Sequence, residues 1–201
     1  MEIQEWFLAL NTKIDVLSFY KQILFMKIIS LLFLVFLISC KKNVDELPAA
    51  TQSGANTFGC RIDGDIWVPQ KNPVFPGADI LESRQMPNND LYINARNFNS
   101  SPNETEFEIF IKEMDGPGVY TFNTTLSAPN TGASYIYYVK RNINPQNEWM
   151  TSASYTGTVT ITAYDTVQRF VSGTFQLQAI NLYNAPMPIT VSDGRFDVKI
   201  Q

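Results

Sequence analysis

Apolar and polar residues alternate with a period of two along most of the chain after residue 56. In one of the longest stretches, Val159 and Ile161 face one side of a predicted strand, while Thr158 and Thr160 face the other. This period places one face of each strand on a core and the other toward water. No stretch after residue 40 shows the helical period of 3.6. The sequence therefore predicts an all-β domain of antiparallel strands.

Turn signals separate the predicted strands. Asp63-Gly64 is a dipeptide typical of two-residue hairpin turns, and Asp193-Gly194 predicts a similar turn near the C-terminus. Residues 70–89 contain several prolines and predict a long loop. Short strands separated by turns at this spacing favour an antiparallel β-sandwich, with a barrel as the alternative.

A different pattern precedes the domain. Met26-Lys27 is followed by the apolar run Ile28–Ile38, which leads to Ser39 and Cys40. A positive residue, an apolar run and a small residue at the break are typical of a secretory signal peptide. A cysteine directly after the break resembles a bacterial lipobox. That resemblance implies cleavage between Ser39 and Cys40 and lipidation of Cys40 by diacylglycerol and a fatty acid such as palmitate.

The chain therefore has four predicted parts. They are 1–25, a misassigned upstream extension; 26–39, the lipoprotein signal peptide; 40–56, a lipidated flexible tether; and 57–201, the all-β domain. A membrane-spanning anchor over residues 23–40 is the alternative. Lys27 interrupts that run, and the remainder is shorter than the roughly 20 apolar residues that a span needs.

The composition excludes several kinds of chemistry. The chain has 0 histidines, which removes Ser-His-Asp and Cys-His catalysis and His-ligated zinc. Its formal net charge of -4 offers no basic surface for nucleic acid. Because Cys40 would carry the lipid, Cys60 is predicted to be a small buried apolar residue and not a reactive thiol. We expect no metal, no cofactor and no enzyme activity.

Three blocks of the domain carry a resemblance to a known family. They are Ala55–Cys60 with a hairpin ending in Trp67, then Ile161–Thr166 with Val171–Phe175, and finally Asp193–Asp197. This set resembles a family of small Gram-negative bacterial lipoproteins that is assigned only to a domain of unknown function. The resemblance spans most of the chain after residue 40. It implies an all-β fold and a place in the cell envelope, and it supplies no catalytic residues.

Aromatic residues are the strongest binding candidates. Tyr135 and Tyr137 share one face of a predicted strand, Tyr138 takes the other face, and Trp149 follows. An exposed platform of Tyr135, Tyr137 and Trp149 would stack on the apolar faces of sugar rings. In the other interpretation, one set of tyrosines fills the core and the other covers a strand face.

Acidic residues offer weaker candidates. Asp63 and Asp65 would serve a glycosidase only if two carboxylates faced each other across a cleft, and both are ordinary residues of a hairpin turn. Glu104, Glu106 and Glu108 share one strand face, where like charges repel each other. A solvent-facing strand is therefore predicted there.

One short motif points to a modification. Asp165-Thr166-Val167 lies at a predicted turn between two long strands and resembles a three-residue O-glycosylation signal of exported proteins in some Gram-negative groups. Thr166 is therefore a candidate for O-glycosylation. Asp-Thr is also typical of turns, which is the second interpretation.

These patterns together predict a lipid-anchored protein of the bacterial outer membrane with a structural or binding role. Its expected partners are the membrane, through the lipid on Cys40, and a glycan or another envelope protein. A carbohydrate-binding accessory lipoprotein that uses Tyr135, Tyr137 or Trp149 is the first alternative. A carboxylate glycosidase is the second.

Overall fold

The computed structural model describes residues 24–27, 44–72, 77, 79–99, 103–141, 147–183 and 187–201. The chain divides into two compact units, Met1–Asn43 and Val44–Gln201. In the first unit, the described residues 24–27 are helical. Within the described ranges, no helix is long and apolar enough to cross a membrane. The predicted cleavage site between Ser39 and Cys40 lies outside the described residues.

The second unit is built of strands. Among its described residues, all pairs between strands are antiparallel. The strands are β1 (Thr57–Ile62), β2 (Asp65–Trp67), β3 (Leu81–Gln85), β4 (Leu91–Asn97), β5 (Thr105–Ile111), β6 (Gly118–Phe122), β7 (Tyr135–Lys140), β8 (Glu148–Met150), β9 (Gly157–Asp165), β10 (Phe170–Asn181) and β11 (Ile189–Lys199).

Strand β10 joins the others into one curled sheet. The order along the sheet is β2-β1-β11-β10-β8-β7-β5-β4-β3, while β9 pairs with both β10 and β6. Most of β10 pairs with β9 and β11, whereas Ile180 and Asn181 at its end pair with β8. We call β1, β2, β6, β9, β10 and β11 the first layer, and β3, β4, β5, β7 and β8 the second layer. The all-β antiparallel prediction is confirmed, with the two layers joined through β10 into a half-barrel.

Side chains from both layers meet in a core rich in aromatic rings. Phe107 of β5 lies at its centre, and four other rings surround it at centroid distances of 5.4–5.9 Å: Phe58, Trp67, Tyr138 and Phe175. We call these five residues the aromatic core. Rings at such distances attract each other beyond the effect of burying their apolar surface. The aromatic core therefore ties the two layers together.

The alternation predicted for β9 is confirmed, because Val159 and Ile161 are buried whereas Thr158 and Thr160 are partly exposed. On β1, Cys60 is fully buried and forms no disulfide. Burial raises the pKa of its thiol. A protonated thiol inside a core is a poor nucleophile, so the prediction that Cys60 is a small apolar core residue is confirmed.

The turn predicted at Asp193-Gly194 is wrong, because β11 runs through both residues without interruption. The pair forms a β-bulge, at which the register against β10 shifts between Phe175 and Leu177. Asp193 adopts a φ of 53°, and a Cβ on Gly194 would lie 2.5 Å from an atom of the Phe175 ring. Aspartate tolerates a positive φ, and glycine allows another group to approach closely. These properties make Asp-Gly common in turns, and they also suit this bulge.

Candidate functional site

The three aromatic residues considered for sugar stacking are buried. The exposed fractions of Tyr135, Tyr137 and Trp149 are 4%, 9% and 5%. Trp149 packs on Tyr138 at a centroid distance of 5.8 Å and donates its indole N–H to the Met187 carbonyl at 2.8 Å. The expected platform of exposed rings is therefore not formed. Tyr135 and Tyr137 on one face of the strand and Tyr138 on the other are all buried. This agrees with the interpretation in which one set of tyrosines fills the core and the other covers a strand face.

Tyr135 and Tyr137 belong to a second, smaller core on the outer face of the second layer. Its buried members are Phe110, Tyr135, Tyr137, Val139 and Met150. Leu126, from the loop after β6, and Leu182, after β10, pack against them. The rings of Phe110 and Tyr135 stack at a centroid distance of 5.4 Å. Loop residues thus cover a strand face that the period of two would leave in water.

The glutamates beside this smaller core do not form the predicted solvent-facing row. The side chain of Glu106 is 12% exposed and accepts a hydrogen bond from Asn94 Nδ2 at 2.6 Å. Arg96 and Arg141 pair with its two oxygens at 3.3 and 2.5 Å. Burial alone would raise the pKa of Glu106, but hydrogen bonds from Asn94 and Arg141 and two positive charges hold that pKa below its ordinary value. The arginines offset the like-charge repulsion, so the strand face can be covered.

Glu108 engages the hydroxyl group of Tyr135, one of the rings considered for sugar stacking, and that of Tyr92. Its carboxylate accepts hydrogen bonds from Tyr135 and, at 3.1 Å, from Tyr92. Burial raises the pKa of Glu108 and outweighs these hydrogen bonds. Burial and the hydrogen bond to Glu108 also raise the pKa of Tyr135. Both tyrosine hydroxyls are therefore used in contacts within the domain.

We expect Glu106→Gln to lower the free energy of unfolding by about 1–3 kcal/mol, because Arg141 loses its ion pair with Glu106 and Arg96 is left with Glu82 as a carboxylate partner. Glu104→Gln is the matched control, since Glu104 lies two residues earlier, outside β5. It should change stability by less than about 0.5 kcal/mol. Urea unfolding followed by tryptophan fluorescence measures both. Equal losses for the two variants would contradict a special role for Glu106.

The remaining sequence candidates lie in or beside turns. Asp63 adopts a φ of 51°, and its Oδ1 accepts a hydrogen bond from the Thr190 N–H at 2.8 Å, whereas Asp65 begins β2 and is exposed. Thr166 is exposed in the turn between β9 and β10, where Asp165 accepts hydrogen bonds from two following backbone N–H groups. Among the described residues, no group of three His, Cys, Asp or Glu is placed to hold a metal ion. Turn geometry accounts for Asp63 and Asp165.

A buried carboxylate fixes the N-terminal segment to the domain. Asp197 on β11 is 0% exposed. Its oxygens accept hydrogen bonds from the backbone N–H groups of residues 53–55 at 3.0, 2.8 and 3.0 Å. They also accept from the hydroxyls of Thr51 at 2.6 Å and Ser172 at 2.7 Å. Burial would raise the pKa of Asp197, but these hydrogen bonds hold it far below its usual range. We call residues 51–55 together with Asp197 the N-terminal latch.

Sequence reasoning misses this latch. Alternation places Asp197 on the outward face of the last strand, and the absence of periodicity places residues 40–56 in a tether. Phe196 and Val198 do face the core, but the N-terminal segment covers the face on which Asp197 lies, and the compact unit begins at Val44. One signal was present. Thr51-Gln52-Ser53-Gly54 joins hydroxyl groups to a glycine, a composition that lets consecutive backbone N–H groups surround an anion.

A groove lies beside the latch, where β1 and the segment that follows β2 approach the start of β3. Its volume is about 510 Å³. Its apolar lining includes Phe58, Val68 and Leu81, and its charged lining is Glu46, Lys71 and Asp79. Pro48 of the N-terminal segment also lines it. Phe58, Val68 and Leu81 are buried and give the groove an apolar floor. Its exposed charged residues are one lysine, Lys71, and two acids, Glu46 and Asp79. We call this cavity the anchor-side groove.

Comparison of the chain with protein-family models, with curated proteins and with solved structures finds no match. The latch and the anchor-side groove are therefore interpreted from their geometry and chemistry. Together they make the region where the N-terminal segment meets the domain the best candidate for a functional site.

Proposed function

We propose that the protein is a lipid-anchored, non-enzymatic component of the bacterial envelope that holds a binding domain close to the outer membrane. The N-terminal latch carries this proposal. Hydrogen bonds to Asp197 fix the chain from Thr51 onward, and the compact unit already begins at Val44. Residues 41–43 alone separate that unit from Cys40, where the lipid is predicted.

This short connection limits the distance between the lipid and the domain. An extended chain spans roughly 3.5 Å per residue, so the step from Cys40 to Val44 covers at most about 14 Å. A tether that included all of residues 40–56 would reach about 56 Å by the same measure. The proposed role is therefore exercised near the membrane surface and not at a distance from it.

The anchor-side groove gives such a domain a place to bind a ligand. Clefts with apolar walls and a few polar groups, including the mouths of barrels, are where proteins hold small molecules. The apolar floor and the three exposed charges of Glu46, Lys71 and Asp79 suit a ligand with an apolar part and a polar part. Because Pro48 lines the groove, anchoring and binding would involve the same stretch of chain.

Outer-membrane delivery is part of the same proposal. Lys41 and Lys42 follow Cys40, and the lack of an aspartate at the first of these positions permits delivery to the outer membrane under the usual sorting rule. The resemblance to a lipoprotein family points to the same compartment. The partners are then the lipid surface and whatever the groove holds.

Lipidation of Cys40 is tested in a Gram-negative host that expresses the full chain. We expect mass spectrometry to find a mature protein that begins at Cys40 and carries diacylglycerol and an acyl chain. Cys40→Ala should abolish lipidation and move the protein out of the membrane fraction. Cys60→Ala is the matched control, because Cys60 is buried in the core, and this variant should stay lipidated.

Two results would contradict the proposal. One is an unmodified chain that still begins at Met1 or Met26. The other is a Cys40→Ala protein that remains in the membrane fraction as fully as the parent protein does.

A further inference from the structure

The outer face of the first layer carries uncharged polar side chains. On β9 and β10 these are Thr158, Thr160, Thr174, Gln176 and Gln178. Thr160 pairs with Thr174 and Thr158 pairs with Gln176 across the two strands. Side chains of directly paired residues lie roughly 5 Å apart, so they form closely spaced rows. No residue from 157 to 163 or from 173 to 179 is charged.

This face carries two hollows. One hollow of about 400 Å³ and another of about 320 Å³ lie on it. Thr158 and Gln176 line both hollows, so the two are adjoining parts of one groove, which we call the threonine–glutamine groove. The bulge at Asp193-Gly194 lines one side, and Ala50 of the N-terminal segment also lines it. Bulges commonly redirect side chains beside binding sites.

The polar groups of this groove are available to a ligand. Within the described residues, the side chains of Thr158, Thr160, Thr174, Gln176 and Gln178 have no hydrogen-bond partner. Each hydroxyl or carboxamide group can both donate and accept hydrogen bonds, and so can the hydroxyl groups of a sugar. Val119 on β6 pairs with Thr160 and is 68% exposed. It adds an apolar contact on the same face for the C–H groups of a sugar ring.

We propose that the threonine–glutamine groove binds a neutral glycan chain. The threonine and glutamine side chains of the groove are uncharged, and the two charged residues beside them have opposite signs, which favours a neutral ligand over a polyanion or a basic peptide. Asp193 and Arg195 lie at one side, and Asp193 is already paired with Arg61 at 3.4 Å. Interfaces between proteins are enriched in aromatic residues, whereas this face presents threonine and glutamine. The glycan site does not depend on the lipid anchor.

Affinity electrophoresis tests the proposal with the detergent-extracted full chain in native gels that contain dextran, laminarin, galactomannan or xyloglucan. Heparin and alginate serve as charged comparison polymers. We expect at least one neutral polysaccharide to retard the protein, and the retardation to be unchanged between 50 and 500 mM NaCl. Hydrogen bonding to a neutral polymer releases no counterions, so it lacks the salt dependence of charge-driven binding.

The double variant Thr158→Val with Gln176→Leu removes the polar groups that both hollows share. The new side chains are similar in shape to the ones they replace. We expect it to weaken binding by about tenfold, since two hydrogen bonds are lost. Thr174→Val removes one hydroxyl group from the neighbouring pair of Thr160 and Thr174, and we expect it to weaken binding by a smaller factor. Thr166→Val with Gln168→Leu makes the same two substitutions in the exposed β9–β10 turn and should leave binding unchanged.

Unfolding temperatures of all variants show whether the fold is kept. The proposal is overturned if no neutral polysaccharide retards the protein, or if the control pair weakens binding as much as the groove pair. Retardation by heparin or alginate alone, lost at high salt, would also overturn it. So would sedimentation that shows a dimer of this chain dissociated by the groove pair, because a second copy would then occupy the face.

Discussion

Replacement of Asp197 by asparagine is expected to lower the free energy of unfolding by about 2–4 kcal/mol. The carboxylate is fully buried, and its hydrogen-bond partners among the described residues are all donors. These donors are the N–H groups of Ser53, Gly54 and Ala55 and the hydroxyls of Thr51, Ser53 and Ser172. An asparagine of the same shape would turn an NH₂ group toward at least one of these backbone N–H groups. Two donors would then face each other without an acceptor, and burying an unpaired donor lowers the free energy of unfolding.

Asp193→Asn is the matched control for this prediction. Asp193 lies on the same strand, its side chain is 56% exposed, and its ion pair with Arg61 spans 3.4 Å. Exposed pairs contribute little to stability, and asparagine tolerates the φ of 53° at this position. We therefore expect a change within about 0.5 kcal/mol. Chemical unfolding of both variants measures the difference.

The effect of Asp197 should also depend on pH in a fixed direction. The pKa of this carboxyl lies below its unfolded value, so its ionised form stabilises the folded state above the unfolded pKa of roughly 3.9. That contribution is lost as the pH falls from there toward the folded pKa. The difference in stability between the parent protein and Asp197→Asn should therefore be constant from about pH 7 to 5 and shrink below about pH 4.

Hydrogen exchange separates the latch from a general loss of stability. The amide N–H groups of Gly54 and Ala55 donate to Asp197, so they should be protected in the parent protein and exchange fast in Asp197→Asn. Amides of β9 should keep most of their protection under conditions where the variant remains folded. Unchanged protection at Gly54 and Ala55 would show that Asp197 does not hold the N-terminal segment.

Local alternation was sufficient to predict the inner faces of the strands. Val159 and Ile161 are buried because a strand exposes one face to the core whatever its partners are. Alternation also predicted the burial of Cys60, together with the expectation that Cys40 carries a lipid and leaves Cys60 without a disulfide partner. Such predictions hold because they depend on residues that are neighbours in sequence.

Outer faces were predicted poorly because distant segments cover them. Asp197 is buried by donors more than 140 residues away in the chain. The negative charge of Glu106 is paired with Arg141, which is 35 residues away in the chain. Period-two alternation distinguishes two faces but carries no information about a loop or terminal segment that later packs on one of them. The candidate site lies where such a segment packs, so alternation alone does not locate it.

The tyrosines of β7 also show that alternation does not predict which outward faces are covered. Tyr135 and Tyr137 lie on the outward face of β7, as alternation predicts, yet Leu126 and Leu182 cover them. The uncharged residues of β9 and β10 remain uncovered, although alternation alone does not mark them as binding residues. Exposed polar groups of this kind are visible as a site only when the strand pairing brings them side by side.

Phe107→Ala is expected to lower the free energy of unfolding by about 3–5 kcal/mol, because it removes the central ring of the aromatic core. The Phe107 side chain is fully buried, and its neighbours Phe58 and Phe175 belong to the first layer while Tyr138 belongs to the second. A cavity at that point loosens the packing between layers as well as within them. Unfolding should stay a single transition at a lower denaturant concentration, and the near-ultraviolet circular dichroism of the core rings should weaken.

Two variants establish that this loss comes from the contact between layers. Phe107→Leu keeps most of the volume and should cost about 1–1.5 kcal/mol. Phe98→Ala removes the same ring from a half-buried position after β4, outside the aromatic core, and should cost less than about 1.5 kcal/mol. If Phe98→Ala were as damaging as Phe107→Ala, ring burial in general would explain the loss. A larger loss for Phe107→Ala, with Phe107→Leu in between, would show that the half-barrel depends on rings that both layers share.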